Sequence, residues 1–241
     1  MYKRQELIAA TNVAGDLVDY ARMPDGKVAC FLIDVPGRGL EATGLMAILS
    51  RMLIGVLSES DSPGAVLAEA AGMLRRRLDS VPLLISVGIM ILDPEESSVK
   101  VAVAGHCPLF RIQGSDVTEY TDEDFLGPPL GAEEEEWREA EFRLNDNDVL
   151  LLFSDGLTKL SSPDRKILTR AEQLEIIAAS AAGHRSVLET RLQKRLAEFR
   201  GDAVLADDLA FTMIHRSKAA ATVDALRDFT AYPIDSETMD A

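Results

Sequence analysis

The sequence is poor in cysteine, in positive charge and in long apolar runs, and each scarcity excludes a class of protein. Two cysteines, Cys30 and Cys107, cannot form a disulfide framework, and they lie too far apart, with too few partners, for a zinc site of the usual spacing. A reducing, cytoplasmic setting suits them. Basic residues number 25 against 40 acidic ones, a net charge of −15 and a pI near 4.6, so the phosphate backbone of a nucleic acid is repelled. No apolar run reaches the roughly 18 to 20 residues of a spanning helix, and Met1-Tyr-Lys-Arg is followed by no signal-peptide core. Neither a membrane nor a nucleic acid is therefore an expected partner. What is abundant is globular chemistry. With 47% hydrophobic and 27% charged residues over 241 positions, the chain has material for a sizeable core in one large domain or two small ones.

Hydrophobic periodicity divides the chain into elements. Val28–Asp34 is a continuous apolar run entered from Pro24-Asp-Gly26 and ended by an acid, which predicts a buried strand. From Leu40 to Leu57 apolar residues recur at three and four, and residues 62–79 repeat the pattern, with Ser62 as a cap and Pro63 in the first turn. Residues 85–92 and 99–103 flank a polar loop, 109–112 and 117–120 flank Gly114-Ser-Asp116, and 137–144 and 149–153 flank Asn145-Asp-Asn-Asp148; these read as hairpins. Residues 170–182 and 186–199 are predicted helices and 209–214 a last strand, while 217–241 read as a polar tail beyond a domain spanning 1–216. Many hairpins with helix pairs between them predict an α+β protein, an α-β-β-α sandwich of two antiparallel sheets flanked by helices.

Acidic residues recur in one context, at a strand end beside glycine: Gly15-Asp16, Asp34-Val-Pro-Gly37, Asp155-Gly156, and Asp207-Asp208 before the last strand. A carboxylate at a strand end lies on the sheet rim, and glycine lets backbone turn sharply and a ligand approach. Each piece alone is an ordinary turn signal. Together, carboxylates converging in a low-dielectric cleft need compensation, ordinarily a divalent cation, and oxygen-only donors select Mg²⁺ or Mn²⁺; two such ions are a familiar means of activating water against phosphorus.

The order of the motifs carries more weight than any one of them. Asn12-Val-Ala-Gly-Asp16-Leu-Val-Asp-Tyr20, Phe31-Leu-Ile-Asp34-Val-Pro-Gly-Arg-Gly39, Val103-Ala-Gly-His106-Cys-Pro108, Asp148-Val-Leu-Leu-Leu-Phe-Ser-Asp155-Gly-Leu-Thr158 and Ala206-Asp207-Asp208-Leu-Ala-Phe-Thr-Met-Ile214 together resemble the SpoIIE/RsbU branch of the metal-dependent PPM (type 2C-like) serine/threonine phosphatases. The resemblance covers about residues 8 to 216. It implies a binuclear Mn²⁺ or Mg²⁺ centre in which Asp34 bridges both ions, the Val35 carbonyl assists, Asp155 and Asp207 complete one ion's shell and Asp16 supports the other. It makes Asp34 and Asp155 the catalytic pair and leaves Asp19, Arg38 and Asp208 as substrate or supporting candidates. The implied reaction is direct attack of water on a phosphoserine or phosphothreonine of a regulatory protein, with an anti-sigma-factor antagonist in sigma-factor signalling as the expected substrate.

Three positions depart from the family pattern: Ala14 replaces a glycine, Pro36 stands where serine is common, and Lys159 stands where glutamate is frequent. Proline fixes φ and removes an N–H in the loop that presents Asp34, so Pro36 is expected to limit activity. Relatives carry a sensor or receiver domain and a linker helix ahead of the first motif, whereas about a dozen residues precede Ala14 here, so the chain reads as the output domain of a longer protein. A second reading follows from these departures: a catalytically weak, phosphatase-like effector of a response regulator, an RssB-like adaptor that binds a sigma-pathway partner. His106 and Cys107 read as structural, since no His-Asp pair in the sequence serves the thiol.

Overall fold

The computed structural model describes residues 2–8, 15–37, 39–77, 83–120, 126–133, 136–183 and 187–216, the first of these segments by its backbone and pairing. The residues of the sequence-predicted tail lie outside this set. Sixteen elements follow in chain order: β1 (Tyr2–Ile8), β2 (Asp16–Arg22), β3 (Val28–Asp34), α1 (Leu40–Leu57), α2 (Pro63–Arg77), β4 (Ser86–Asp93), β5 (Ser98–Ala104), β6 (Leu109–Gln113), β7 (Asp116–Tyr120), β8 (Leu126–Gly127), β9 (Ala140–Arg143), β10 (Val149–Phe153), α3 (Gly156–Lys159), α4 (Arg170–Ala181), α5 (Leu188–Arg200) and β11 (Leu209–His215). They form the expected sandwich. One sheet runs β1-β11-β10-β6-β7, the other β2-β3-β4-β5-β8 with β9 also on β5. Every pairing is antiparallel except the two-residue β5–β8 contact, which is parallel and modifies the expectation of purely antiparallel sheets.

Strand parity builds three apolar layers. Ala29, Phe31 and Ile33 of β3 with Val87, Ile89 and Ile91 of β4 face Leu49, Leu53, Val66 and Leu67 of α1 and α2. Cys30, Leu32 and Met90 face the other way, onto Leu150, Leu152, Ala210 and Ile214 of the opposite sheet. Leu151, Phe153 and Phe211 cover Ile177, Leu192 and Leu196 of α4 and α5. Successive side chains alternate between faces because the pleat has a period of two. The helix α1 has a mean hydropathy of 1.6 over 18 residues, long and apolar enough by composition to cross a membrane, contrary to the expectation from the sequence that no segment qualifies. Its apolar inner stripe is used on β2, β3 and α2.

Local signals explain the helix starts. Ser62 Oγ accepts from the Ala65 N–H at 3.1 Å, so the expected cap is present ahead of Pro63. Thr169 and Glu172 form a reciprocal capping box on α4. The alternation over 137–144 yields a strand only over Ala140–Arg143, because Trp137 is turned aside: its indole N–H donates to the Pro128 carbonyl at 2.6 Å. The strand β1, polar over residues 3–6, carries no strand signal in the sequence, and β2 is signalled only by the acid beside Gly15; both are edge strands whose order comes from their partners β11 and β3.

The sheets approach closely at Gly88, where an added Cβ would lie 2.4 Å from Leu152 Cδ2. Gly88→Val should therefore lower stability by about 1–3 kcal/mol through overpacking. Combining it with Leu152→Ala should cost less than the sum of the single changes. Urea denaturation midpoints of the two single variants and the double variant check this.

Candidate active site

Parity that buries apolar residues between the sheets also aims acids at one rim. Asp34 follows Cys30 and Leu32 on the inter-sheet face of β3, and its register partner on β2 is Asp16. From the other sheet, Ser154 and Asp155 follow Leu150 and Leu152, and Asp207 and Asp208 precede Ala210. The two halves are tied by backbone. The Gly15 N–H donates to Asp208 Oδ2 in a short bond, and the Val35 N–H donates to the Gly15 carbonyl at 3.1 Å. The Asp34 loop is thus closed by the Val35 N–H, a bond that Pro36 leaves intact. Gly156 is required by close approach: an added Cβ would stand 1.8 Å from the Asp208 carbonyl oxygen, so Asp155 and Asp208 are adjacent only with glycine between them.

Of these residues Asp34, Asp155 and Asp207 line a cleft of about 330 Å³, whose other walls are Val35, Pro36, Gly37, Leu84, Ser86 and Lys159, while Asp16 and Asp208 are buried behind them. Lys159 is the only cationic side chain lining it among the described residues. The one-turn helix α3 begins at Asp155 and sets Lys159 four residues on, where its Nζ lies 2.6 Å from Asp155 Oδ2 and 2.6 Å from Asp207 Oδ2. Burial opposes the charge of this lysine, but the bonds to Asp155 and Asp207 win and hold its pKa above the ordinary value. Asp16 is in the opposite situation. It is 3% exposed, and its Oδ2 has no hydrogen-bond partner among the described residues. Burial, opposed by a Ser154 hydrogen bond and reinforced by the Asp34, Asp208 and Asp207 charges, pushes its carboxyl up to about 8. Burial first, and then Asp155 and Asp207, push Asp34 up to about 6, while Lys159 and Asp16 pull the other way.

The donor set suits a hard divalent cation. It is made of carboxylate and carbonyl oxygens, and it includes a buried carboxylate oxygen left without a partner. No three acidic, histidine or cysteine side chains among the described residues are already drawn into a closed cage, consistent with Lys159 holding Asp155 and Asp207 to itself.

Of the residues singled out from the sequence, Asp16, Asp34, Val35, Asp155, Asp207 and Asp208 converge here. Asp19 does not belong with them. Three residues from Asp16, it faces the helices, where its Oδ2 accepts from Ser50 Oγ of α1 at 2.9 Å and its Oδ1 from the Tyr20 N–H. Arg38 lies outside the described residues. His106 is exposed and takes part through its backbone N–H, which donates to Ser86 Oγ. Cys107 is fully buried, and burial, then the Asp34, Asp16 and Asp155 charges, push its thiol well above the ordinary value, which removes it as a nucleophile. Ser154 was not marked by sequence. It is fully buried, with its Oγ accepting from the Ala210 N–H at 3.0 Å, and the signal that could have found it is a polar residue on the buried face of an apolar strand.

Two antiparallel sheets packed face to face between helix layers, with acids from both sheets at one rim, make this a PP2C-type phosphatase fold. Within that class the chain belongs to the SpoIIE family: the family model described as Stage II sporulation protein E matches residues 24–217. The phosphoserine phosphatase RsbU of Bacillus subtilis (strain 168) is 21% identical over 210 residues, which is 87% of this chain and 61% of RsbU. The SiaA-PP2C domain of Pseudomonas aeruginosa aligns with a TM-score of 0.75 and 17% identity over 88% of this chain and 84% of that domain. The RsbU and RsbW domains of a Mycobacterium tuberculosis protein align with a TM-score of 0.74 and 22% identity over 94% of this chain and 65% of that one.

Both raised acids have folded-state values above the unfolded value of 3.8. Without a metal the native state therefore holds more protons than the unfolded chain. The stability these two groups contribute is fully present in acid and is lost as pH rises through about 6 and then about 8. Calorimetric melting in chelator should give a lower Tm at about pH 9 than at about pH 5. Asp16→Asn should raise the Tm at the higher pH and flatten the profile. A Tm that climbs with pH would contradict this assignment of the buried charge.

Proposed function

We propose that this chain is a metal-dependent protein serine/threonine phosphatase that acts on a phosphorylated regulatory protein, with an anti-sigma-factor antagonist as substrate. The observation that carries the reading is the rim itself: three strand ends from two sheets deliver Asp34, Asp155 and Asp207 to one cleft, and Asp16, buried beside Asp34, keeps one oxygen without a partner among the described residues. Asp16, Asp34 and the Val35 carbonyl would hold a divalent cation on one side, and Asp34, Asp155 and Asp207 on the other. A pair of Mn²⁺ or Mg²⁺ ions supplies Lewis-acid polarisation of the phosphoryl oxygens and a water acidic enough to attack phosphorus near neutral pH.

The chain's own groups constrain the rest. Cys107 stays protonated and buried, and Ser154 is engaged between β10 and β11, so neither supplies a covalent intermediate. Asp208 is held by the Gly15 N–H and positions the two halves of the cleft. The similarity to a phosphoserine phosphatase supports the activity, and the neighbour that joins RsbU and RsbW domains supports a sigma-pathway substrate. The phosphatase reading is favoured over a non-catalytic adaptor because acids are retained at every strand end of the rim. Cytoplasmic placement belongs to the same proposal, and a sequence with two cysteines, too few for a disulfide framework, suits it.

Release of phosphate from a serine-phosphorylated antagonist protein tests the proposal directly. Turnover should require Mn²⁺ or Mg²⁺, stop in EDTA, and fall to background in Asp34→Asn and Asp155→Asn. Undiminished turnover in chelator would overturn the metal reading. Hydrolysis of p-nitrophenyl phosphate without hydrolysis of the phosphoprotein would overturn the substrate. Binding of a sigma-pathway protein without any hydrolysis would point to the adaptor.

A further inference from the structure

The rim of the cleft is electrostatically lopsided. On one half, Asp16 holds a buried carboxylate oxygen that no described residue satisfies. On the other, the Lys159 ammonium stands 2.6 Å from both Asp155 and Asp207 and already supplies the positive charge those two carboxylates need. The lysine is not an incidental surface pair. It lines the cleft with Asp34, Val35, Asp155 and Asp207, and α3 fixes it one helical turn from Asp155. From this asymmetry we propose that Lys159 is a built-in competitor for the divalent cation at the Asp155–Asp207 half, so that the chain takes up a first ion at Asp16 and Asp34 well before a second.

The inference rests on the metal reading above and adds to it an order of filling. An ammonium and a divalent ion cannot both sit between the same two oxygens. The second ion must therefore displace Lys159, and it meets the repulsion of a unit charge until that side chain has swung out. The way out exists, since the Lys159 side chain is 44% exposed and rides on a flexible four-carbon stem. At the first ion's half no ammonium or guanidinium of the described residues lines the cleft. That half of the rim sets the buried Asp16 carboxyl beside Asp34, and burial amplifies the gain on neutralising them. The cleft then works as a graded site: singly loaded at low ion concentration, and completed only where the ion concentration is high enough to evict the lysine.

Isothermal titration of Mn²⁺ into the metal-free full chain, compared across wild type, Lys159→Gln and Lys159→Glu, tests this. The wild type should show one tight ion and a second at least about tenfold weaker. Lys159→Gln should tighten the second ion by at least about tenfold, and Lys159→Glu by more, with the first ion little changed. Equal second-ion affinity in all three proteins, or weaker binding in Lys159→Gln, would overturn the competition while leaving the metal reading standing. No Mn²⁺ uptake by any of the three would overturn the metal reading and this inference with it. Electron paramagnetic resonance of the wild type makes the test independent of how the variants fold. One equivalent of Mn²⁺ should give an isolated-ion spectrum, with spin coupling appearing only at higher concentration. A coupled pair already at one equivalent would overturn the proposal.

Discussion

Everything at the rim depends on the apolar contact between the two sheets. The face of β3 that buries Cys30 and Leu32 ends in Asp34, the face of β10 that buries Leu150 and Leu152 ends in Ser154, and the face of β11 that buries Ala210 begins with Asp208. Because the side-chain period is two, a one-residue slip in any of these strands would turn its rim residue toward the helices. Core packing therefore acts as the aiming device, and side chains such as Leu152, which contribute nothing chemical, set where the carboxylates meet. Gly88 lets the sheets come close enough for this to happen.

The same arrangement sets up an electrostatic problem that the chain solves unevenly. Burial opposes ionisation of Asp16 and Asp34, and the charges of Asp34, Asp208 and Asp207 on Asp16, and of Asp155 and Asp207 on Asp34, add to it. One response is internal, the ammonium of Lys159. Another is the bond from the Gly15 N–H to Asp208, which spreads part of that residue's charge into a backbone dipole. What remains uncompensated is concentrated at Asp16. That is where an added ion has most to gain, and it separates the tight half of the site from the guarded one.

Much of this was legible in the sequence, because it follows from short-range patterns. An apolar run ending in an acid placed Asp34 and Asp155 at strand ends, and Ser62 before Pro63 gave the start of α2. Period-two counting from Asp16 would also have set Asp19 on the helix-facing side, away from the cleft, where it anchors Ser50. The rest depends on distance in space. The Gly156 requirement comes from the Asp208 carbonyl, a strand away. The role of Lys159 needs Asp207, far along the chain, to be brought beside Asp155. The strands β1 and β2 are edges whose own residues argue weakly for extended structure, so their order is imposed by neighbours. Proline at position 36 marks a departure from the family pattern, but only the structure reveals that the closing bond of the loop belongs to Val35.

The bond from Gly15 to Asp208 joins residues 193 positions apart. Contacts of such separation close late, because the entropy of the intervening chain opposes them until most of the fold is in place. A chain emerging from the ribosome possesses Asp16 and Asp34 long before it possesses Asp207 and Asp208. During synthesis, and in any fragment cut short of the last strand, the chemistry has no complete site to run in. Assembly of the cleft is thus a checkpoint on the whole domain, and the carboxylates of its rim meet only on the completion of folding itself.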